Sequence, residues 1–416
     1  MLFLNSNSYH KLFFHKSIFF LSLIFIIVSC APSKRFTEYK ESIKDYKSEI
    51  RVLLADSVNE LIIGTEVYLT SDDGKKLAIV KANNQLKVES IYENLLIQLG
   101  SKNINGKIFY FESVNDSLII VNNRKYRGRI KVINVDGSVK LINQISLEDY
   151  IKGVMTKEMP VGKGDENYEA LKAFAIAART YAINKIFNSR TYFDIYTDIR
   201  DQVYGGADSE HPLSNKAVDE TKNMILTYND EPAIIFYHST CGGYTESSVN
   251  VFTKEDVPYL QSIKDGNPAY CSISPNFVWK ENISEKEFIK RLAGSRLIKN
   301  SNWSIEKLNI KSRFPSGRIN ELEIIVKNND GLNSVSIFGN QIRTIIKNQS
   351  GTGLLRSNNF MIALDSNRNI EITGKGSGHG VGLCQWGAIG QSKSGKNYRE
   401  ILSHYFPGTE IKKLND

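Results

Sequence analysis

The sequence predicts an α+β fold in which mixed and antiparallel sheets surround one alanine-rich central helix, and three patterns support this class. Short apolar runs alternate with turn-rich patches over residues 48–147, which is typical of strands and hairpins. Small apolar residues recur at helical spacing over residues 168–187. Two further strand-like runs flank the turn signal Asn329-Asp330-Gly331, so strands are expected on both sides of the helix in the sequence.

The N-terminus predicts a lipoprotein signal peptide over residues 1–29. Two lysines precede the apolar run at residues 17–28, which is shorter than the roughly 20 residues that a membrane-spanning helix needs. The letters "IVSC" end at Cys30 and resemble a lipobox, in which the cysteine is acylated and becomes the mature N-terminus. We expect an exported chain, lipid-anchored to the bacterial cell envelope through Cys30 and a polar tether at residues 30–47. The alternative is a plain signal peptide or an uncleaved anchor.

Charge limits the classes of partner. The formal net charge is +8, and a basic exported protein suits anionic partners such as cell wall or lipid head groups. Lysines and arginines do not cluster with interleaved aromatics, so no nucleic-acid partner is expected.

Residues 48–147 are predicted to form a mainly β N-terminal part, with turns at Asp72-Asp73-Gly74 and at Asp136-Gly137. Residues 148–412 are predicted to form the domain that carries the chemistry. Its central helix has an alanine-rich stripe, which allows another backbone to approach closely.

Glu158 directly precedes a Met-Pro break, and the helical pattern begins after it. A carboxyl acts as a general acid near neutral pH when apolar surroundings raise its pKa, and Met159 and Pro160 supply apolar surface. The alternative is a capping or solvated glutamate.

The loop "DIRDQVYGG", residues 198–206, suits recognition of a ligand rich in hydroxyls and amides. Gln202 is expected to bond such a ligand and Tyr204 to stack on a sugar face. The alternative is a turn that ends in glycine.

Three cysteines remain besides Cys30, namely Cys241, Cys271 and Cys384. His238 and Cys241 have the short spacing of a metal-ligand pair, to which Cys271 would add a third ligand. The alternative is a disulfide between Cys241 and Cys271. An odd number of cysteines is compatible with both.

The segment "GKGSGHGVGLCQWGAIGQSKSG", residues 374–395, is dense in glycine around His379 and Gln385. These glycines predict a close approach of the backbone to a ligand or to the central helix. The segment lacks the Lys-Ser/Thr of a P-loop and does not indicate phosphate binding.

Over roughly residues 48–412 the chain resembles the SpoIID/LytB family, because it contains in order "LEDYIKGVMTKEMP", "EALKAFAIAARTYA", "DQVYGG", "FYHSTCGGYTE", "VPYL", "GSGHGVGLCQWGA" and "ILSHYFPGTEI". The resemblance implies a SpoIID-like domain and a peptidoglycan lytic transglycosylase with a role in cell-wall remodelling, or in sporulation. Such an enzyme cleaves the MurNAc-GlcNAc bond and forms 1,6-anhydroMurNAc. Glu158 would be its catalytic acid and base.

The resemblance also implies a set of site residues and partners. Substrate contacts are expected from Asp201, Gln202, Tyr204, His379 and Gln385. A structural zinc is expected at His238, Cys241 and Cys271, with Cys384 or His379 as a fourth ligand. The partners would be glycan strands, a membrane through the lipid anchor, and a cell-wall amidase. The alternative functions are non-catalytic stimulation of an N-acetylmuramoyl-L-alanine amidase and glycan binding by a lipoprotein.

Two departures from the family pattern bear on activity. Phe174 stands where many members have glutamine, which removes a polar group from the expected cleft. Thr156 and Lys157 replace the commoner Pro-Ser, and a cation close to Glu158 would lower its pKa.

Overall fold

The computed structural model describes residues 49–189 and 192–414. The predicted signal peptide (1–29), the tether (30–47) and Cys30 lie outside the described residues. All described residues belong to one unit of the chain, and none of their helices is long and apolar enough to cross a membrane.

The N-terminal part of the described chain consists of strands. They are β1 (Glu49–Ala55), β2 (Glu60–Ile63), β3 (Val67–Ser71), β4 (Lys76–Val80), β5 (Asn84–Ile91), β6 (Asn94–Leu99), β7 (Lys102–Gly106), β8 (Ile108–Ser113), β9 (Ile119–Val121), β10 (Arg124–Tyr126), β11 (Arg129–Val135) and β12 (Ser138–Ser146).

Helices and shorter strands alternate in the rest of the described chain. The helices are α1 (Leu147–Glu158), α2 (Tyr168–Asn188), α3 (Pro212–Glu220), α4 (Glu285–Gly294), α5 (Gln341–Ile346), α6 (Gln385–Lys393) and α7 (Tyr398–Tyr405). The strands are β13 (Ile195–Tyr196), β14 (Met224–Tyr228), β15 (Glu231–Pro232), β16 (Tyr237–His238), β17 (Val278–Ser284), β18 (Ser304–Arg313), β19 (Ile319–Asn328), β20 (Gly331–Phe338), β21 (Phe360–Leu364), β22 (Asn369–Lys375), β23 (Leu383–Cys384) and β24 (Glu410–Lys413).

Two large sheets form the N-terminal part, with strand orders β13-β1-β12-β11-β8-β3-β4 and β10-β9-β2-β5-β6-β7. Apolar residues alternate with exposed ones along strands such as β5, whose Leu86 and Val88 are buried. The predicted turn at Asp136-Gly137 joins β11 to β12, and both of its residues have positive φ angles, as a two-residue hairpin turn requires. The α+β class and the mainly β N-terminal part are therefore confirmed.

The predicted central helix is confirmed as α2, whose alanines are fully buried in the main hydrophobic core. Arg179 is also fully buried on this helix, because its guanidinium forms an ion pair with Glu148 on α1 at 2.7 Å and donates to the Met224 carbonyl. Ser146 caps the start of α1 by accepting from the Asp149 N–H. Together these contacts fix α1 against α2 and so fix the end of α1, where Glu158 lies.

A second hydrophobic core is formed by residues between 279 and 372. It lies among α4, α5 and two three-stranded sheets, with orders β17-β22-β21 and β18-β19-β20. The predicted hairpin around Asn329-Asp330-Gly331 is confirmed as β19 and β20, which pair in antiparallel register. The sequence did not indicate this separate core, and the predicted extent of the chemical domain, 148–412, stays a prediction.

Candidate functional site

Glu158 is the last residue of α1 and is held by two other segments. Its Oε1 accepts a hydrogen bond from the Val203 N–H at 2.6 Å. The Gln385 side-chain amide, at the start of α6, donates to the Glu158 carbonyl at 2.7 Å. The carboxyl is therefore fixed between α1, the 198–206 loop and the glycine-rich segment, as a residue that must transfer protons at one place needs to be.

The surroundings raise the pKa of Glu158 above its ordinary value of 4.5, and burial is the largest cause. Hydrogen bonds from Val203 and Gln385 oppose this shift by stabilising the carboxylate. A helix C-terminus carries partial negative charge, which also disfavours an ionised carboxyl there. The neighbouring Lys157 is exposed, and its charge is not among the causes of the shift. The lowered pKa that Lys157 would produce at close range is therefore not found.

Two tyrosines that the sequence analysis missed lie near Glu158, since its charge adds to burial in raising the pKa of both Tyr181 and Tyr237. Tyr181 on α2 donates to Asp201 Oδ1 at 2.9 Å. The Tyr237 hydroxyl is buried and has no hydrogen-bond partner of good geometry among the described residues, although Gln202 is close enough to lower its pKa. Both tyrosines belong to quoted motifs, "AARTYA" and "FYHST", but nothing in those letters distinguishes them from core tyrosines.

Phe174 packs edge-on against the Tyr237 ring, with 5.0 Å between ring centres, and is fully buried. The position where the family resemblance implies a glutamine therefore contributes apolar packing behind Tyr237 in this chain.

The structure corrects the predicted sugar contacts of Gln202 and Tyr204. Tyr204 is only 4% exposed; its ring stacks on Tyr150 and its hydroxyl donates to Asn143. Gln202 is fully buried, accepts from the Tyr150 hydroxyl and donates to the Ala178 carbonyl. The prediction that Tyr204 presents a face to a sugar is wrong, because both of these side chains pack beneath the loop and fix its shape.

Asp201 lies on the same loop, and its carboxylate is used within the protein. It pairs with Lys185 at 2.6 Å, with the Tyr181 hydroxyl at 2.9 Å and with the Tyr196 N–H at 2.8 Å. These contacts fix the loop against α2 and β13. Asp201 therefore positions the loop that holds Glu158 through Val203.

His379 lies in the glycine-rich segment with both ring nitrogens occupied. Nε2 donates to the Tyr237 carbonyl at 2.9 Å, and Nδ1 accepts from the Val381 N–H at 3.1 Å. Burial, with the nearby Arg343 charge, lowers its pKa to about 3, so the ring is neutral at physiological pH. His379 therefore connects this segment to β16, directly behind Tyr237.

The glycines of this segment allow close approach, as the sequence predicts, but to a different partner. A Cβ on Gly378 would lie 2.8 Å from the His238 Cβ, and one on Gly382 would lie 2.2 Å from the Phe236 carbonyl oxygen. The segment therefore packs on residues 236–238 at these points, and neither a ligand nor α2 is the neighbour that requires these two glycines.

Four buried residues bring potential metal ligands together: Cys241, Asp265, Cys271 and Cys384. Their ligand atoms all lie within 4.8 Å of one another. The three cysteines are free, since the Cys241 and Cys271 sulfurs are 3.4 Å apart, far longer than the roughly 2.05 Å of a disulfide bond. Three thiols and one carboxylate form a donor set of the kind that holds a tetrahedral zinc.

The contacts around this thiol cluster fit a bound cation. Backbone N–H groups of Cys241 and Gly387 point at the Cys384 sulfur, at 3.1 and 3.3 Å. Asp265 accepts from the Tyr405 hydroxyl at 2.5 Å and from the Cys271 N–H at 2.8 Å. Burial and the Cys271 charge raise the Asp265 pKa to about 7. Such donors orient ligands and stabilise their negative charge.

His238 is not a member of the thiol cluster. Its Nδ1 is hydrogen-bonded with the Val381 carbonyl at 3.1 Å, and its ring packs against His379. The structure therefore corrects the predicted ligand set: Cys241 and Cys271 stay, Cys384 joins them as one of the two expected candidates, and Asp265 takes the place given to His238. Asp265 could not be found from sequence, because no short cysteine or histidine spacing points to it.

Comparisons with known proteins agree with this architecture. The family model for Stage II sporulation protein (SpoIID) matches residues 135–228, which include Glu158 and the 198–206 loop. A domain of unknown function (DUF8618) matches residues 270–382, which include the second hydrophobic core.

Three similar relatives cover much of the chain. An uncharacterized protein of Brachyspira hyodysenteriae is 35% identical over 71% of this chain and 74% of its own length. The amidase enhancer of Bacillus subtilis is 30% identical over 63% of this chain, which spans only 40% of that relative. Stage II sporulation protein D of Bacillus amyloliquefaciens is 30% identical over 65% of this chain and 75% of its own length. This last match, together with the family-model match around Glu158, shows that the chain belongs to the stage II sporulation protein D (SpoIID) family.

Proposed function

We propose that the protein is a peptidoglycan lytic transglycosylase that acts in remodelling of the cell wall. The observation that carries this proposal is Glu158, a fixed and partly buried carboxyl with a raised pKa. A pKa above the ordinary value keeps the proton on the carboxyl to a higher pH than in an exposed glutamate, which is the property that a general acid needs.

Glu158 would act twice at one place. In the first step the carboxyl protonates the glycosidic oxygen between N-acetylmuramic acid and N-acetylglucosamine, and that bond breaks. In the second step the carboxylate takes the proton of the muramyl 6-hydroxyl, whose oxygen bonds to the anomeric carbon and closes the 1,6-anhydro ring. No water enters the product, and Glu158 ends protonated as it began.

Neighbouring groups support both states of the carboxyl. The Val203 N–H stabilises the carboxylate form through Oε1, and the Gln385 side chain also favours the carboxylate. Asp201 with Lys185 and Tyr181 fixes the loop that carries Val203. Gln385 fixes the Glu158 backbone. These residues hold Glu158 in position, and Glu158 is the residue that would contact the reacting atoms.

Mass spectrometry of glycan strands tests this proposal. Purified strands with and without stem peptides are incubated with the protein, with Glu158→Gln and with Glu166→Gln, an exposed glutamate between α1 and α2 that serves as the control. We expect 1,6-anhydro-muramyl products from the native protein and the control but not from Glu158→Gln. Equal product from all three proteins, or no product from any, would reject the assignment.

The second candidate function is stimulation of a cell-wall amidase without cleavage of glycan. The relative named amidase enhancer, at 30% identity, favours it. Release of stem peptides by an N-acetylmuramoyl-L-alanine amidase, measured with and without this protein, separates the two. Stimulation that persists in Glu158→Gln, without anhydro products, would favour this alternative.

We further propose that the thiol cluster holds one structural zinc ion, bound by Cys241, Asp265, Cys271 and Cys384. The zinc would tie together the chain after β16, the short segment at Cys271 and the start of α6, so it would stabilise the scaffold next to the catalytic loop. It has no role in the proton steps above.

The proposed setting is the bacterial cell envelope, with export and acylation at Cys30. The lipobox-like "IVSC" and the relatives named amidase enhancer and stage II sporulation protein D support this setting. Replacing Cys30 by alanine should abolish incorporation of labelled fatty acid into the protein, and unchanged labelling would exclude Cys30 as the acceptor.

A further inference from the structure

A cleft lies away from Glu158, on the solvent-facing side of the sheet β17-β22-β21. Its volume is about 640 Å³. The sheet belongs to the second hydrophobic core, whose residues are inserted in the chain between Cys271 and Cys384, and we therefore call this space the insert cleft. One wall is formed by residues 242–244 and another by the turn at residues 315–317. None of the residues that surround Glu158 lines it.

The floor and one wall of the insert cleft present apolar surface to solvent. Tyr244, Val278 and Met361 are 41%, 53% and 65% exposed, and no other part of the described chain covers them. Val278 is on β17 and Met361 is on β21, the two strands that flank β22. On β22, Lys375 is opposite Val278 and Thr373 is opposite Met361. An apolar floor with an aromatic edge suits the less polar face of a sugar ring.

The charged residues that line the insert cleft are cations. Arg313 is fixed, because its guanidinium donates to the Gly317 carbonyl at 2.6 Å and to the Phe360 carbonyl at 2.7 Å. Lys375 is exposed and has no ion pair with any residue that the structure describes. Since no aspartate or glutamate lines the cleft, its charge favours a ligand that carries a carboxylate.

The insert cleft is close enough to the Glu158 site for one polymer to reach both. Tyr237 lies beside Glu158, and Gly242 lines the cleft five residues later in the chain. Five residues span no more than about 18 Å even when fully extended. Tyr237, beside Glu158, and Gly242, in the insert cleft, therefore lie within about 18 Å of each other.

We propose that the insert cleft is a second saccharide subsite for an N-acetylmuramic acid unit without its stem peptide. The free lactyl carboxylate of that unit would bind at Arg313 and Lys375, and its ring would pack on Tyr244, Val278 and Met361. This proposal rests on the proposed function, because it assigns a further sugar of the same strand. It gives the second hydrophobic core a role in recognising the glycan at a distance from the bond that breaks.

Binding measured by titration calorimetry tests the subsite in the Glu158→Gln background, where the ligand stays intact. The probes are an alternating GlcNAc-MurNAc oligosaccharide without peptides and a chitin oligosaccharide of equal length, which lacks the lactyl carboxylate. Lys375→Gln removes a cleft cation, and Lys280→Gln removes an exposed lysine of the same sheet outside the cleft. Met361→Glu adds an acid to the cleft, and Ala363→Glu adds one on the same exposed side of the same strand outside it.

We expect Lys375→Gln and Met361→Glu each to weaken binding of the muramyl oligosaccharide about tenfold, as for loss of one charge-assisted hydrogen bond. Binding of the chitin probe should change less than twofold with Lys375→Gln, and both control substitutions should leave binding of the muramyl oligosaccharide within twofold of the parent. Thermal unfolding of each variant establishes that it is folded. Muramyl binding that is unaffected by either cleft substitution, or equally affected by the controls, overturns the subsite.

Failure of the subsite and failure of the proposed function give different results. If Glu158-dependent anhydro products form but the cleft substitutions leave binding unchanged, the transglycosylase assignment is supported and the subsite is rejected. If no glycan is cut but muramyl binding depends on Lys375, the subsite is supported and the transglycosylase assignment is rejected.

Discussion

At the scale of single residues, Glu158 shows how the same position favours the acid and still permits the base. Burial and the C-terminal end of α1 favour the protonated carboxyl, whereas the Val203 N–H stabilises the carboxylate. A residue that must give and then take a proton needs both influences. Its pKa then stays above the ordinary value without the carboxyl being held permanently neutral.

The raised pKa predicts that replacing Glu158 by glutamine stabilises the protein at neutral pH. Between 4.5 and the higher folded pKa, the folded protein keeps a proton that the unfolded chain has lost, so the free energy of unfolding decreases as pH rises through this window. Glutamine does not titrate and avoids this loss. Thermal unfolding at several pH values should show a higher Tm for Glu158→Gln at neutral pH and a shrinking difference below 4.5. The same difference at every pH would contradict the titration of Glu158 as its cause.

At the scale of elements, the thiol cluster joins segments that have few backbone hydrogen bonds of their own. Cys241 follows the two-residue strand β16, and Cys384 ends the two-residue strand β23 that pairs with it. Such short strands gain little from pairing alone. Side-chain contacts and a bound cation are therefore expected to hold this region in place beneath Gln385.

Removal of the proposed zinc should destabilise the protein. We expect about one zinc per chain by elemental analysis, and a lower Tm after treatment with a chelator at neutral pH. Cys241→Ser should lower the zinc content and reduce stability by on the order of 2 kcal/mol or more. The chelator should then have little further effect on that variant. A native protein whose Tm is unaffected by the chelator, and which contains no metal, would refute the zinc site.

Adding a single methyl group to a glycine of the glycine-rich segment should lower the free energy of unfolding. A Cβ on Gly380, where φ is +92°, would lie 2.5 Å from the Arg318 guanidinium carbon. Gly395 has a similar φ of +88° with nothing within 4 Å of its Cβ position, so Gly395→Ala measures the backbone cost alone. That cost is roughly 1 kcal/mol. Chemical denaturation should show a larger loss for Gly380→Ala, and equal losses would mean that Arg318 moves aside freely.

At the scale of the whole molecule, the second hydrophobic core is inserted between two members of the thiol cluster. The chain enters the second core after Cys271 and comes back to the thiol cluster at Cys384. The two ends of the inserted part lie side by side, where the Gly376 N–H donates to the Phe277 carbonyl at 3.0 Å. Arg318 connects the insert to the rest of the protein by donating to the carbonyls of Cys241 and Tyr244. The insert is thus a separate core attached at closely spaced ends.

Excision of the insert should therefore leave the remaining protein folded. We expect a chain with residues 278–375 replaced by a short glycine-serine linker to keep the helical circular dichroism of α1, α2, α3, α6 and α7, without the contribution of α4 and α5, and to keep its metal content. Its Tm should fall, because each lost Arg318 hydrogen bond contributes about 1 kcal/mol. Arg318→Met, which keeps the insert, measures that part of the loss separately. An excised chain that is unfolded and free of metal would show that the two cores depend on each other.

Much of the fold followed from local patterns. The helix predicted over residues 168–187 is found as α2, and the turns at Asp136-Gly137 and Asn329-Asp330-Gly331 join strands as expected. These features depend on periodicity and turn chemistry within a few residues. The apolar stretch "AIIFYHSTCGG" forms only the two-residue strand Tyr237–His238, because it bonds mainly with the glycine-rich segment, which is remote in sequence.

The candidate site was predictable in its parts but not in its contacts. Tyr204 and Gln202 have side chains suited to a sugar, yet both are buried under the loop, since burial depends on how α1 and α2 pack and not on residue type. Asp265 joins three cysteines from distant parts of the chain, which no spacing rule anticipates.

The sequence by itself determined the α+β class, the central helix, the family and the position of Glu158 before a Met-Pro break, because each is written in short, ordered motifs. Only the tertiary structure decided three features: the burial that raises the Glu158 pKa, the presence of Asp265 and not His238 beside the three cysteines, and the existence of the insert cleft. Each of these depends on which residues, remote in sequence, become neighbours, and close packing of the folded chain alone sets those distances.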